Sequence, residues 1–230
     1  MGTLYIVSTP IGNLRDITLR ALEILGSVEI IACEDTRVSG KLLKAHGIKA
    51  PKLVSYNDHN AMRQIPSLIQ SLKDASNIAL ISDAGTPLIS DPGYKLVKSA
   101  IDRGINIVPI PGPSAPLSAL VASGLPPYPY MFVGFLSKKK NKLKGELTKF
   151  SEPKITYIAY EAGNRIEETL KLMTEIMGKD TQVCIGRELT KLHEEFIRGA
   201  IQDIKLTNLK GEITLLWHRY GEYKAKPFIT

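Results

Sequence analysis

The stretch ISDAGTPLISDPG at residues 81–93 holds two Ser-Asp pairs eight positions apart, Ser82-Asp83 and Ser90-Asp91, on either side of Gly85-Thr86-Pro87. Carboxylates placed this way can take up protons, attract a cation or cap a helix. The glycines and prolines between them fix a tight path along which a ligand can touch the main chain. Asp91-Pro92 reads as an N-cap with a first-turn proline, so the second pair is expected to start a helix. Asp83 comes before Gly85 at a strand exit, where its side chain is expected to face a crevice. Three other loops carry similar marks: STPIGNLRD at 8–16, EDTR at 34–37 and PGPSAP at 111–116. In the last of these, Ser114 can cap a helix that has Pro116 in its first turn.

Several chemistries leave no trace. No G-x-x-x-x-G-K-[ST] and no G-x-G-x-x-G after a strand occurs, which argues against a phosphate cradle for nucleotides. The four histidines, His46, His59, His193 and His218, lack H-E-x-x-H or paired-cysteine spacing, so no metal is expected. Asp58-His59 in SYNDHN is expected to be a loop or a helix cap. The nucleophile elbow G-x-S-x-G is missing too.

The elements that must carry these loops alternate. Strands are expected at 3–8, 28–33, 52–56, 77–82 and 105–110, and helices at 16–26, 36–47, 61–75, 91–103 and 115–123. Alternation at this spacing means βαβ units and a parallel five-stranded sheet, whose ligands bind at the carboxyl ends of the strands. The strand runs lack polar alternation, as strands covered on both faces should. GLPPYPYMF at 124–132 changes the texture. Beyond it come strands at 155–160, 181–186, 194–199 and 212–218, a helix over 163–178, and a basic segment, SKKKNKLKGELTKF, at 137–150. The pair 181–186 and 194–199 is close enough for a hairpin. The expected architecture is α/β in two domains, 1–113 and 114–230, the second with a mixed sheet.

Bulk properties agree with a folded chain. It has 230 residues, 43% of them hydrophobic and 23% charged, which supports real cores and argues against wholesale disorder. No apolar run approaches a membrane span, and the start MGTLYIVSTPIG lacks the basic region of a signal peptide. Cys33 and Cys184 lie in apolar runs, so buried thiols in a reducing cytoplasm are expected. The net charge of +7 favours a polyanionic partner.

The segments LYIVSTPIGNLRDITLRAL, EDTR, LISDAGTPLISDPG, VPIPGPSAPLSAL, YEAGNR, RELTK and KGEITLL occur in this order. Together, over 3–219, they resemble the tetrapyrrole methylase superfamily of S-adenosylmethionine methyltransferases, and within it the branch that methylates 16S ribosomal RNA. The resemblance implies two α/β domains with the cofactor in a cleft between them, and a homodimer. It also implies 2′-O-methylation of a cytidine in the decoding region, with 16S rRNA or the small ribosomal subunit as partner. The adenosyl group is then expected against Pro10 and Ile11, against Gly85, Thr86, Pro87, Leu88 and Ile89, and against Ser114 and Ala115. Tyr160 and Ala162 are expected to add contacts from the second domain. The branch usually has Ser and His where this chain has Ala162 and Asn164, and it differs also at Asn57, Asp58 and Ala61.

Methyl transfer from a sulfonium is an in-line displacement that needs placement of the attacking oxygen and removal of its proton. Asp83 or Asp35 is expected as the base, with Glu161 a further carboxylate. Arg37 and Arg187 would hold phosphate or alkoxide, or form salt bridges. Lys138, Lys139, Lys140, Lys142 and Lys144 form either a solvated face or an RNA-contacting arm that would make binding salt-dependent. A small acidic, tetrapyrrole-like substrate and a non-catalytic rRNA-binding role are the competing readings.

Overall fold

The computed structural model describes residues 1–49, 51–206 and 210–220. The chain forms two compact units, Met1–Ser114 and Ala115–Thr230.

Unit 1 alternates strand and helix: β1 (Thr3–Val7), α1 (Leu19–Ser27), β2 (Ile30–Cys33), α2 (Thr36–Ala45), β3 (Lys52–Ser55), α3 (Ala61–Lys73), β4 (Ile78–Ile81), α4 (Tyr94–Ile101) and β5 (Asn106–Ile110). All pairings are parallel, in the order β3-β2-β4-β1-β5. Successive residues of a strand point to opposite faces, so β1 feeds two cores. Leu4 packs with Leu68, Leu72 and Leu96 of α3 and α4, while Val7 packs with Leu25 and Leu43 of α1 and α2. Helices therefore cover both faces, and β2 and β4 are buried along their whole length. The expected helix over 16–26 is split: a 3₁₀ turn spans Leu14–Asp16, and α1 starts only after Thr18, whose hydroxyl accepts from Ala21 N at 3.1 Å. Thr18 is a better cap than Asp16 here because its side chain reaches the third amide of the apolar run.

Adjacent strands β4 and β1 send their chains to opposite faces, the first to α4 and the second to α1. The loops therefore diverge at the carboxyl ends of these two strands, and a crevice opens there, as in other open α/β sheets.

Unit 2 contains α5 (Ala115–Ser123), β6 (Tyr130–Phe135), α6 (Lys140–Lys149), β7 (Thr156–Ala162), α7 (Ile166–Met177), β8 (Gln182–Arg187), β9 (Glu195–Ala200) and β10 (Glu212–His218). Its sheet is mixed, in the order β6-β7-β10-β8-β9, with only β6 and β7 parallel. The hairpin of β8 and β9 is present as expected. Trp217 anchors the core, stacked on Tyr157 at 5.5 Å, with its indole N–H donating to Phe150 O at 2.8 Å. The basic segment carries a helix that its composition had not announced. It folds into α6, whose Leu143 and Leu147 lie buried four residues apart against the core. Truncating either to Ala would cost about 2–5 kcal/mol. Both cysteines are free and buried.

Candidate active site

Three loops meet at the carboxyl edge of the first sheet. Thr9, after β1, forms a short antiparallel bridge with Gly85, after β4: each amide donates to the other's carbonyl, at 2.9 and 3.0 Å. The Thr86 hydroxyl lies 3.0 Å from Ser8 Oγ and donates to Pro113 O at 3.1 Å, which ties in the loop after β5. Pro10, Ile11, Gly85, Thr86 and the segment before Ser114 and Ala115 are thus brought to one place. Gly85 has φ +82°, and a Cβ there would stand 3.3 Å from the Ile11 side chain. A side chain there would be strained and would press on Ile11, which glycine avoids. Leu88 and Ser90 also have positive φ, which non-glycine residues adopt at a cost of about 1–3 kcal/mol and which concentrates at ligand-binding segments. Ile89 between them is exposed, and Pro87 is buried.

Beside this wall lies a cavity of about 270 Å³. It is lined by Thr9, Pro10 and Leu14 after β1, by Val38, Ser39, Lys41 and Leu42 of α2, and by Ser82 and Asp83 after β4. Asp83 Oδ1 accepts from the Asp35 amide at 3.0 Å, so the two expected base candidates do come together. Their roles separate there. The Asp35 carboxylate caps α2 through Arg37 N at 2.8 Å and is forked by the Arg37 guanidinium, with Nη2 at 2.6 Å. Those hydrogen bonds hold its pKa down at about 2, so Asp35 is a poor proton acceptor. Asp83 moves the other way. Burial raises its pKa, opposed by the Asp35 amide and assisted by the charge of Asp35. Arg37 is 85% exposed and paired to Asp35.

Two further carboxylates join Asp83: Glu34 of the EDTR loop, and Asp91, which was expected to cap a helix. Burial, and then the charge of Asp83, raise the pKa of Glu34. Asp91 is pushed up to about 6, chiefly by burial, with the Ser82 hydroxyl pulling the other way. The expected helix-capping role of Asp91 is not what the structure has. Gly93 is the N-cap of α4, at φ +147°, and a Cβ there would stand 2.6 Å from Leu88 Cδ1. Asp91 is left two residues upstream, half-buried and facing the other acids. The tripeptide Asp-Pro-Gly is a turn signal as much as a capping one, and that was the available clue. The 57–60 segment is a loop closed on itself ahead of α3, whose N-cap Asn60 makes no side-chain capping bond: Asn57 N donates to Asn60 Oδ1 at 2.8 Å, and Asn57 Oδ1 accepts from the amides of His59 and Asn60. Among the described residues no group of histidine, cysteine and acidic side chains is placed to hold a metal.

In unit 2, Glu161 is 1% exposed and held by three donors. It accepts from the Ala162 amide at 2.8 Å and Thr169 Oγ1 at 2.8 Å, and it pairs with Arg165 Nη1 at 3.2 Å. Three donors engage most of the roughly four acceptor positions of this carboxylate, which gives Glu161 a structural role in unit 2. Arg165 in turn donates to Ser137 O at 2.6 Å, so Glu161 anchors the segment after β6. Arg187 ends β8, donating to His193 O at 3.3 Å with Glu195 at 3.8 Å. Ile213 pairs with both Glu161 and Arg187, which puts them at one level on the strands flanking β10, roughly 10 Å apart. Tyr160 touches Phe132 and Phe135, with ring centroids 5.1 and 5.0 Å away, and Ala162 is exposed at the end of β7. Lys138, Lys139, Lys140, Lys142 and Lys144 all reach solvent along and before α6, with Glu146 near Lys142 at 3.8 Å.

The family model for tetrapyrrole (corrin/porphyrin) methylases matches residues 3–205. The chain belongs to this family. Among its relatives is the ribosomal RNA small subunit methyltransferase I of Mesorhizobium japonicum, 52% identical over 86% of this chain and 67% of that protein. The proteins of the same name from Bacillus subtilis and Halalkalibacterium halodurans are 50% and 46% identical, covering 89% and 98% of this chain and 69% and 78% of theirs. Two solved methyltransferases share the fold. The Thermus thermophilus uroporphyrin-III-C-methyltransferase has a TM-score of 0.66 at 17% identity, with 95% of each chain covered. The methyltransferase CobJ has a TM-score of 0.70 at 14% identity, with 99% of this chain and 98% of that one covered. The residues present fit the sulfonium donor that methylases of this family use. The cavity is mostly apolar, with the carboxylate of Asp83 and the side chain of Lys41 in its lining, and the adjoining loop has bare backbone at Gly85 for a flat ligand to approach. Asp35 already occupies the first amides of α2 that a phosphate would need.

Proposed function

We propose that this chain transfers a methyl group from S-adenosylmethionine to the 2′-hydroxyl of a cytidine in the decoding region of 16S rRNA. The identity of about half its residues with proteins named ribosomal RNA small subunit methyltransferase I is the observation that carries this reading. Bound S-adenosylmethionine supplies an electrophilic methyl on a positively charged sulfur. Pro10, Ile11, the Gly85–Ile89 segment and Ser114 of unit 1 would hold it, and the family resemblance adds Ala115, Tyr160 and Ala162.

The protein's own residues then have two tasks. One is to take the hydroxyl proton. Asp83 serves as the acceptor: one oxygen is fixed by the Asp35 amide, and burial, helped by the charge of Asp35, raises its affinity for a proton above that of an ordinary carboxylate. Asp35 serves as the orienter, aligning Arg37 so that its exposed guanidinium meets a phosphate, and Arg187 is a second cation for the same backbone. The other task is to hold the RNA. The lysines of α6 supply phosphate contacts that position the substrate without reading its sequence. The protein acts as a cytoplasmic homodimer; the buried free thiols of Cys33 and Cys184 suit a reducing compartment. Among the described residues, no helix is long and apolar enough to cross a membrane.

The test is to incubate the protein with labelled S-adenosylmethionine and unmodified small subunits or 16S rRNA, then map the label by mass spectrometry of nuclease fragments. Label on a cytidine ribose is expected. Label on a base would defeat the 2′-hydroxyl assignment. Absence of label with donor bound would leave a small acidic substrate, and absence of donor binding a non-catalytic rRNA factor.

A further inference from the structure

Phe135 is 70% exposed, an unusual amount for a phenylalanine at the end of a strand. Local backbone geometry puts it there. β6 and β7 run in parallel with Phe132 opposite Ile158 and Phe135 opposite Tyr160, so three steps on β6 match two on β7. The extra residue is taken up at Gly134, whose φ of +74° is the left-handed value such bulges need. In a regular strand, residues three apart point to opposite faces. The bulge cancels that, and Phe132 and Phe135 both lean on the Tyr160 ring, at 5.1 and 5.0 Å. Phe132 is partly covered, while Phe135 touches Tyr160 and leaves the rest of its ring to solvent.

The chain just beyond is held rigidly. The Leu136 amide donates to Tyr160 O at 3.3 Å. Ser137 N donates to Glu146 Oε2 at 2.9 Å, and Ser137 O accepts from Arg165, itself fixed by buried Glu161. Lys138, Lys139 and Lys140 follow at once, all exposed, so the first ammonium-bearing residue is within about 10 Å of the ring along the chain. An exposed aromatic face, re-aimed by a bulge and fixed beside a row of cations, suits one class of ligand. That ligand has a flat π-system joined to a polyanionic backbone.

We infer that Phe135 is a stacking platform for an unpaired base of the RNA substrate, with the lysines from Lys138 to Lys144 gripping the adjoining phosphates. This rests on the RNA reading above and adds to it a residue that engages a base, which phosphate contacts cannot do. Tyr160 backs the platform, and the Glu161–Arg165 pair keeps its distance from the lysines constant.

The probe is a short single-stranded RNA carrying one pyrrolocytidine, titrated at low salt into the wild-type protein and its F135A, F135L and F135W variants. Quenching of the fluorophore reports stacking, and anisotropy reports binding. F135A and F135L are expected to bind roughly 5- to 100-fold more weakly and to lose the quench, whereas F135W keeps both. Leucine separates stacking from simple apolar contact. Lys140→Ala with Lys142→Ala is expected to weaken binding at low salt and leave the quench at saturation unchanged. Equal quenching by wild type and F135A, with RNA bound, would overturn the platform while leaving the RNA reading intact. A wild-type protein that binds no RNA would overturn both. Matched thermal melts check that every variant is folded.

Discussion

Asp83, Glu34 and Asp91 in the first unit face one another with few donors between them, whereas Glu161 in the second lies buried among an amide, a hydroxyl and a guanidinium. The same side-chain chemistry has opposite consequences in the two places. Where donors are scarce, burial raises the proton affinity and the acid stays poised to exchange a proton. Where donors saturate it, the carboxylate becomes a bracket that ties β7 to α7 and to the segment after β6. Glu188 of the second unit follows the bracket pattern, with the Glu212 amide and Lys191 holding its pKa down. Incomplete satisfaction, rather than proximity to a cation, is what makes Asp83 the candidate for the proton acceptor.

The contrast can be broken from either side. Asp83→Asn keeps the oxygen that accepts the Asp35 amide, so the fold should hold while methyl transfer falls by about 10²- to 10⁴-fold. Single-turnover methylation beside a thermal melt checks it, and a variant within threefold of wild type would remove Asp83 from the role of base. Glu161→Ala should do the reverse in kind, losing about 3–5 kcal/mol of stability by stranding Arg165 and Thr169. Denaturant unfolding followed through Trp217 fluorescence, in the same unit, reads that loss.

Asp91→Asn gives a smaller effect with a defined sign. The folded-state pKa is raised, to about 6, so the protonated form is favoured by folding. The stability it contributes is complete below the ordinary carboxylate range near 4 and is lost as the pH rises through about 6. The Asn variant should therefore match wild type near pH 4 and exceed it by roughly 1 kcal/mol at pH 7, after allowance for solvent screening. A flat difference across that range would show that Asp91 is not held apart from water. Smallest of all, each lysine removed from Lys142 and Lys144 should reduce the slope of log affinity against log salt by about 0.7, leaving rate at saturation unaltered.

Much of the fold was legible in the residues. Strand and helix alternation with unbroken apolar strands led to the parallel sheet, and the mixed second sheet followed from the hairpin spacing of 181–186 and 194–199. The loops that carry the candidate site were legible as well, because Gly85, Pro87 and Pro113 mark turns by their own backbone limits. Less legible were the fates of single acids. Asp91 read as a cap because a proline follows it, yet the cap fell to Gly93, where Leu88 leaves no room for a Cβ. Asp35 and Asp83 looked equivalent until Arg37 was seen to fork one of them. No helix was expected in the basic segment, since six lysines drown the signal of Leu143 and Leu147.

Local sequence by itself determined the elements, the tight loops and, through its long shared segments, the family. Those depend on backbone preferences and apolar periodicity within a few residues. Which carboxylate is starved of donors, which is saturated, and which aromatic ring is turned outward were decided only by tertiary structure. Each depends on partners brought from distant strands: Asp35 to Asp83 across 48 residues, Arg165 to Ser137 across 28, and Tyr160 to Phe135 across a bulge. Proton affinity and exposure are set by those neighbours, and no residue carries them alone.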